Sequence, residues 1–214
     1  MKISRWLVVV PVVAVLFCGC AHRTLDSVKA EVASYYESGR HEQEVARVMS
    51  KAMKLLPPKG SYNIEGSAVV FDIDDTALNT YEYQKGVGFG HHGPAWHQWI
   101  GMSRATAIKP VLDFYNQAKD RGMPVFFVTG RREKFRAVTE SNLRQCGFDG
   151  WTELFMKPDN YNNESVVGFK SGCRAAIESR GYKILINVGD QESDLAGGHC
   201  RHKVLLPNRI YGVK

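Results

Sequence analysis

Apolar positions in this chain follow two alternating spacings. Across residues 25–56 they recur at three- and four-residue steps, with Val45, Val48, Met49, Ala52, Met53 and Leu56 on one helical face. The spacing predicts two helical pieces broken at Ser38-Gly39, and Pro57-Pro58-Lys59-Gly60 stops the second. A short unbroken run, Ala68-Val69-Val70-Phe71, lies between Gly66 and Asp72 and reads as a buried strand. Helical spacing returns over 106–120, where Ile108, Val111, Leu112 and Tyr115 share a face. Arg121-Gly122 closes that helix and Pro124 opens a second strand, 125–128. A helix over 132–146, a strand at 154–156, a helix over 171–180 ended by Gly181, and strands at 182–188 and 203–206 complete the series.

Strands alternating with helices define an α/β chain with a parallel sheet covered on both faces. Ligands of such sheets lie beyond the carboxyl ends of the strands, so the residues directly after each strand are the ones to inspect. They are Asp72-Ile73-Asp74-Asp75-Thr76, then Thr129-Gly130-Arg131, then Gly189-Asp190-Gln191-Glu192-Ser193-Asp194, with Lys170 just ahead of the predicted helix at 171–180. Asp72, Asp74 and Asp190 crowded on one rim repel one another and push their pKa values up. A hard divalent cation relieves that repulsion, and Mg²⁺ prefers carboxylate and water oxygens. One carboxylate can then stay ionised as a nucleophile. Lys170, Thr129 and backbone N–H groups suit the three anionic oxygens of a phosphoryl group. Any one of these segments alone is ordinary turn or helix-cap chemistry. The order and strand-end placement of all four carry the signal.

In that order they resemble the motifs of the haloacid dehalogenase superfamily of phosphatases. Asp72-x-Asp74-x-Thr76 matches the first motif, Thr129 the second, Lys170 the third, and Asp190 with Asp194 the fourth. The segments 71–78, 128–131, 169–171 and 187–194 resemble the acid-phosphatase branch, subfamily IIIB, which includes bacterial class C acid phosphatases, plant acid phosphatases and vegetative storage proteins. The tail 205–211 resembles the plant-type ending. The likeness covers roughly residues 30–214. It implies a Rossmann-like three-layer fold with a small cap, and an Mg²⁺-dependent phosphomonoesterase working through an aspartyl-phosphate. By the resemblance Asp72 is the nucleophile and Asp74 the general acid and base. Thr129, Gly130 and Arg131 bind phosphate, and Lys170 holds phosphate and nucleophile. Asp72, the Asp74 backbone carbonyl and Asp190 hold the metal, and Asp194 orients that shell or Lys170. Phosphoryl transfer to an alcohol acceptor, and a non-catalytic ligand-binding surface lipoprotein, are the alternative functions.

Residues 77–105 interrupt the strand–helix rhythm and are rich in aromatics and glycine. The resemblance makes them a cap-like insertion, with Tyr81, Trp96 and Trp99 as candidates for stacking the nucleobase of a 5′-nucleotide or an aryl phosphate ring.

The amino terminus reads as an address. Lys2 and Arg5 precede an apolar run from Trp6 to Phe17, shorter than the roughly 20 residues of a membrane span. Residues 1–19 therefore read as a signal peptide and 20–214 as one domain. The segment 16–20 resembles a bacterial lipobox with Cys20 lipidated, which implies a periplasmic-face or outer-membrane anchor. Cleavage after Ala21, giving a soluble exported protein, competes with it, as does a retained anchor helix.

Composition narrows the picture further. The chain has 214 residues, 44% of them hydrophobic and 23% charged, enough to bury a core without staples. The net charge of +6 is spread, with no run of Lys or Arg longer than two, which argues against nucleic acid as partner. Cys146, Cys173 and Cys200 are too far apart for a zinc site, and one pair among them is compatible with an oxidising compartment.

Overall fold

A computed structural model describes residues 23–163 and 165–213 of the chain. The leader 1–19 and Cys20 lie outside the described residues. Two helices, α1 (Leu25–Glu37) and α2 (Arg40–Met53), come first. The break between them is at Gly39, whose φ of 77° is left-handed and suits a residue without Cβ. Strands β1 (Ser67–Phe71), β4 (Val125–Arg132), β5 (Glu153–Lys157), β6 (Lys183–Gly189) and β7 (His202–Leu205) form one sheet in the order β5-β4-β1-β6-β7. Every neighbouring pair in it is parallel.

β1 from Ala68 to Phe71 and β4 from Val125 to Val128 read as unbroken apolar runs because both faces are buried there, while the edge strands β5 and β7 are partly exposed. On one face Val69, Phe71, Val125, Phe127, Ile186 and Val188 join the main core, which reaches α2 through Val45 and Met49. α5 (Lys109–Asp120) contributes Val111, Phe114 and Tyr115 to it, and α6 (Arg136–Gln145) contributes Leu143. On the other face Ala68, Val70, Phe126, Val128 and Ile184 pack against Cys173 and Ile177 of α7 (Val167–Ser179). In β1 and β4 this alternation is the period-two pleat sorted between two helical layers, and in β6 an extra residue at the register shift against β1 puts Ile184 and Ile186 on opposite faces. The chain leaves β1 towards β4 on one side and later returns to β6 on the other, so the switch point of the sheet lies at the carboxyl end of β1.

The insertion after β1 is two short helices, α3 (Tyr81–Gly86) and α4 (Gly93–Met102). A two-stranded antiparallel clasp, β2 (Leu78–Asn79) with β3 (Thr106–Ala107), closes its base.

Three sequence expectations shift. Residues 106 and 107 belong to the clasp, and α5 starts at Lys109 with Pro110 in its first turn, where the missing N–H costs nothing. The segment at 132 opens as a 3₁₀ turn, Glu133–Phe135, before α6 begins. α7 starts at Val167 rather than 171, because Val166 is buried and Phe169 packs on the smaller core. Lys170 is therefore inside the first turn of α7 and not ahead of it.

Candidate active site

Asp72 directly follows β1, and its N–H donates to the Val188 carbonyl at 2.9 Å, continuing the ladder towards β6. The chain then turns sharply. Ile73 accepts from the amides of Ala77 (2.9 Å) and Leu78 (2.8 Å), and Asp75 adopts a left-handed φ of 54°. Asp75 is buried and faces away from the cleft. Its carboxylate accepts from the Thr80 N–H (2.8 Å), the Thr80 hydroxyl (2.6 Å) and the Tyr211 hydroxyl (2.8 Å). Those bonds tie the turn to the root of the insertion and to the carboxyl-terminal tail. Of the three aspartates within four residues, this one is structural.

Asp74 sits at the rim. Arg131 grips its carboxylate with Nε at 3.1 Å and Nη2 at 2.7 Å, while Nη1 donates to Thr139 at 3.2 Å. Arg131, expected to assist Thr129 and Gly130 in phosphate binding, is thus bonded here to Asp74 and α6. Its buried position beneath the Trp96 ring, 5.8 Å from the centroid, turns it that way. Thr129 is wholly buried and its hydroxyl oxygen accepts from the Arg131 N–H at 3.1 Å. Of this pair, Gly130 reaches the cleft wall.

The first turn of α7 delivers the Lys170 ammonium between two carboxylates. It donates to Asp72 Oδ1 at 2.7 Å and to Asp194 Oδ1. Asp194 in turn caps α8 (Glu192–Leu195), accepting from the Gln191 N–H at 2.9 Å. A Cβ on Gly189 would lie 2.5 Å from Asp194 Oδ2, so the strand end needs glycine for this close approach. Asp190 receives the Thr76 hydroxyl on Oδ1 (3.1 Å) and the Gln191 (2.6 Å) and Asn208 (2.7 Å) amides on Oδ2.

Asp72, Asp190 and Asp194 offer oxygens within 4.8 Å of one another, all three side chains buried. Burial pushes Asp72 well above the usual carboxylate range, with Lys170 pulling against it and the neighbouring aspartates adding to it. Burial, then Asp194 and Asp75, raise Asp190 to about 7. Burial opposes a charge on Lys170, yet Asp72 and Asp194 together hold its pKa above the ordinary lysine value. Three crowded, desolvated oxygen donors beside one lysine fit a hard divalent cation. The cluster contains Asp72 and Asp190 of the expected set and adds Asp194, while the Asp74 carboxylate, which the expectation does not use as a ligand, is held by Arg131.

These groups floor a cleft of about 490 Å³. The insertion supplies part of its wall through Tyr83, Gln84, Phe89, His91 and Trp96. Two of the three expected cap residues lie elsewhere. Tyr81 is the first residue of α3 and faces the amino-terminal helices, stacked on Tyr36 (4.9 Å) and donating to Glu37 (2.8 Å). Trp99 lies on the inner face of α4 and is buried in the main core. The opposite wall was not legible in the spacing of the sequence. It is Lys157 at the end of β5, Val166, and the tail residues Tyr211, Gly212 and Val213. Of these, Lys157 is the last residue of β5, so the strand-end rule that found the other groups also reaches it.

Residues 21–214 match the family model of the HAD superfamily, subfamily IIIB (acid phosphatase). The chain belongs to that family. It is 33% identical over 151 residues to the Stem 28 kDa glycoprotein of Glycine max, covering 68% of this chain and 59% of that protein. It is 28% identical over 186 residues to Acid phosphatase 1 of Solanum lycopersicum, covering 85% and 73%. Over the soybean stem glycoproteins it spans about half to six-tenths of their length, 46% in one case. The class C acid phosphatase of Bacillus anthracis superposes with a TM-score of 0.71 at 18% identity, covering 88% of this chain and 86% of that one, which establishes the shared fold.

Proposed function

We propose that this chain is an Mg²⁺-dependent phosphomonoesterase that hydrolyses small organic phosphate esters, 5′-nucleotides or aryl phosphates among them. The observation that carries the reading is the Asp72 carboxylate, buried at the cleft floor and bonded to Lys170 at 2.7 Å beside two further aspartates. In this reading Asp72, Asp190 and the Asp74 backbone carbonyl hold the cation, with Asp194 alongside. When bound, the cation neutralises the crowded carboxylates and withdraws charge from the phosphoryl oxygens.

The chain's own groups then divide the work. An Asp72 oxygen attacks phosphorus, the ester P–O bond breaks, and Asp74 gives its proton to the leaving oxygen. Water next attacks the aspartyl-phosphate and Asp74 takes its proton. The Asp72–phosphorus bond breaks, which releases inorganic phosphate and restores both carboxyls. Lys170 and the Gly130 N–H hold the phosphoryl oxygens, Thr129 braces the turn that presents Gly130, and Arg131 aims Asp74 at the leaving group. Trp96, Tyr83 and Phe89 face the departing organic group.

The test is phosphate release from p-nitrophenyl phosphate and a 5′-nucleotide by residues 21–214, with Mg²⁺ and with EDTA. Mg²⁺-dependent release that Asp72→Asn abolishes is the expected result. No release from a folded protein favours the non-catalytic reading, consistent with vegetative storage proteins among the relatives. Transfer of phosphate to added glycerol instead of water would favour the phosphotransferase.

The reading includes export with a lipid on Cys20, supported by the basic start, the short apolar run and Gly19-Cys20. Labelled palmitate on the wild type but not on Cys20→Ala is expected. Labelling of neither would leave a soluble exported protein.

A further inference from the structure

The carboxyl-terminal tail crosses the mouth of the carboxylate cluster as a strap, and one of its side chains reaches into the cluster. Leu206 N–H donates to the Gly189 carbonyl at 2.8 Å, which sets the tail alongside the end of β6. Two residues later Asn208 turns its amide inward, and Nδ2 donates to Asp190 Oδ2 at 2.7 Å. The other end of the same amide is fixed by backbone, because Asn208 Oδ1 accepts from the Ile210 N–H at 2.8 Å and from the Tyr211 N–H at 3.4 Å. An amide whose oxygen is held this way has its N–H₂ aimed.

The strap is anchored at both ends. Upstream, the Pro207 carbonyl lies 3.2 Å from the His41 ring, and the Arg209 guanidinium sits 3.9 Å over Tyr35 and pairs with Glu44 at 3.3 Å. Downstream, Tyr211 donates to Asp75 at 2.8 Å and Val213 N–H to Gln191 Oε1 at 2.9 Å. Gln191 is the other donor to Asp190 Oδ2, at 2.6 Å. The two amides on that oxygen are therefore held, directly or through Gln191, by the tail.

We propose that Asn208 is a positioning residue that sets the divalent-cation affinity of the site by fixing the plane of the Asp190 carboxylate. The inference rests on the reading of Asp190 as a cation ligand. A ligand carboxylate that must be reoriented on binding gives up affinity, and partners that hold ligands are typically worth about 10–100-fold. Asn208 lies outside the strand-end motifs, and its neighbours Pro207 and Arg209 join it to α1 and α2.

The experiment is calorimetric titration of Mg²⁺, and of Mn²⁺ as a tighter-binding probe, into the substrate-free protein. Wild type, Asn208→Ala and Tyr211→Phe are compared, with cation-free thermal midpoints measured alongside. Asn208→Ala should weaken binding about 10-fold or more, with kcat at saturating cation close to wild type. Tyr211→Phe removes the strap's hold on Asp75 but touches no cation ligand, and should bind within about 2-fold of wild type, below the range expected for losing a ligand's partner. Equal affinity in wild type and Asn208→Ala would overturn the proposal. So would an equal loss in Tyr211→Phe, which would assign the effect to tail docking in general. A wild type that binds neither cation would instead remove the reading of Asp190 as a ligand.

Discussion

Asp72, Asp74 and Asp75 fall within four residues of the sequence and have three different surroundings. Asp72 is buried against Lys170, Asp74 is held at the rim by Arg131, and Asp75 is locked to Thr80 and Tyr211. Chemistry is thus divided by environment rather than by residue type. Asp74→Asn keeps the size and one of the oxygens that Arg131 bonds but removes the ionisable proton, and kcat should fall about 10²–10⁴-fold with a smaller change in KM. Steady-state kinetics of the pure variant checks it. Asp190 yields a pH prediction. Its folded pKa of about 7 lies above its ordinary 3.8, so the folded state binds the proton more tightly. The stability this contributes is present below 3.8 and is lost as pH rises through about 7. A cation needs the ionised carboxylate, so it restores stability where the proton has left. Added Mg²⁺ should therefore raise the thermal midpoint more at about pH 8 than at about pH 5. An equal rise at both would count against this carboxylate as a ligand.

Among the elements, the strands and the break at Gly39 are readable from the sequence, since short apolar runs such as 68–71 and 125–128, flanked by glycine, proline or aspartate and rich in β-branched and aromatic residues, favour strand over helix. The groups at the ends of β1, β4 and β6 followed from one topological rule. Lys170 is legible as a residue, but the start of its helix is not, because ahead of it Phe169 packs on the smaller core while Val166 turns to the cleft, too few positions to show a period. The cap was legible as an insertion and illegible in detail. Tyr81 and Trp99 look like stacking residues in sequence, and only the turn of α3 and α4 sends them to the amino-terminal helices and the core. The strand end at Gly189 has an outcome of its own. Gly189→Ala would drive a methyl group into Asp194 and should destabilise the fold by about 1–3 kcal/mol. Loss of cation affinity should accompany it. Chemical denaturation with and without Mg²⁺ measures both.

At the scale of the molecule, the carboxyl-terminal tail, which lines the cleft, packs on the amino-terminal helices, and those helices also meet α3 of the cap. No rule of strand ends finds the contact of tail and helices, because it joins residues about as far apart in the chain as the fold allows. His41 marks the junction, stacked on Tyr36 at 4.3 Å and bonded to the Pro207 carbonyl. Burial lowers its pKa below the ordinary 6.5, against the opposing pull of that carbonyl. The folded state therefore favours the neutral ring, and the stability it contributes is present above 6.5 and is lost as pH falls below that value. His41→Gln should flatten the loss of thermal stability on acidification relative to wild type. A variant whose pH profile is parallel to wild type would show that the ring does not titrate at the junction. Among the described residues no helix is long and apolar enough to cross a membrane.

The central claim is that Asp72 takes the phosphoryl group. The most direct test is acid quench of the working protein with a phosphate-labelled ester and Mg²⁺, followed by peptide mass spectrometry. The account predicts label, labile to hydroxylamine, on the peptide that contains Asp72, and none in Asp72→Asn. Turnover at full rate with no label on that peptide, or full activity in Asp72→Asn, would contradict it.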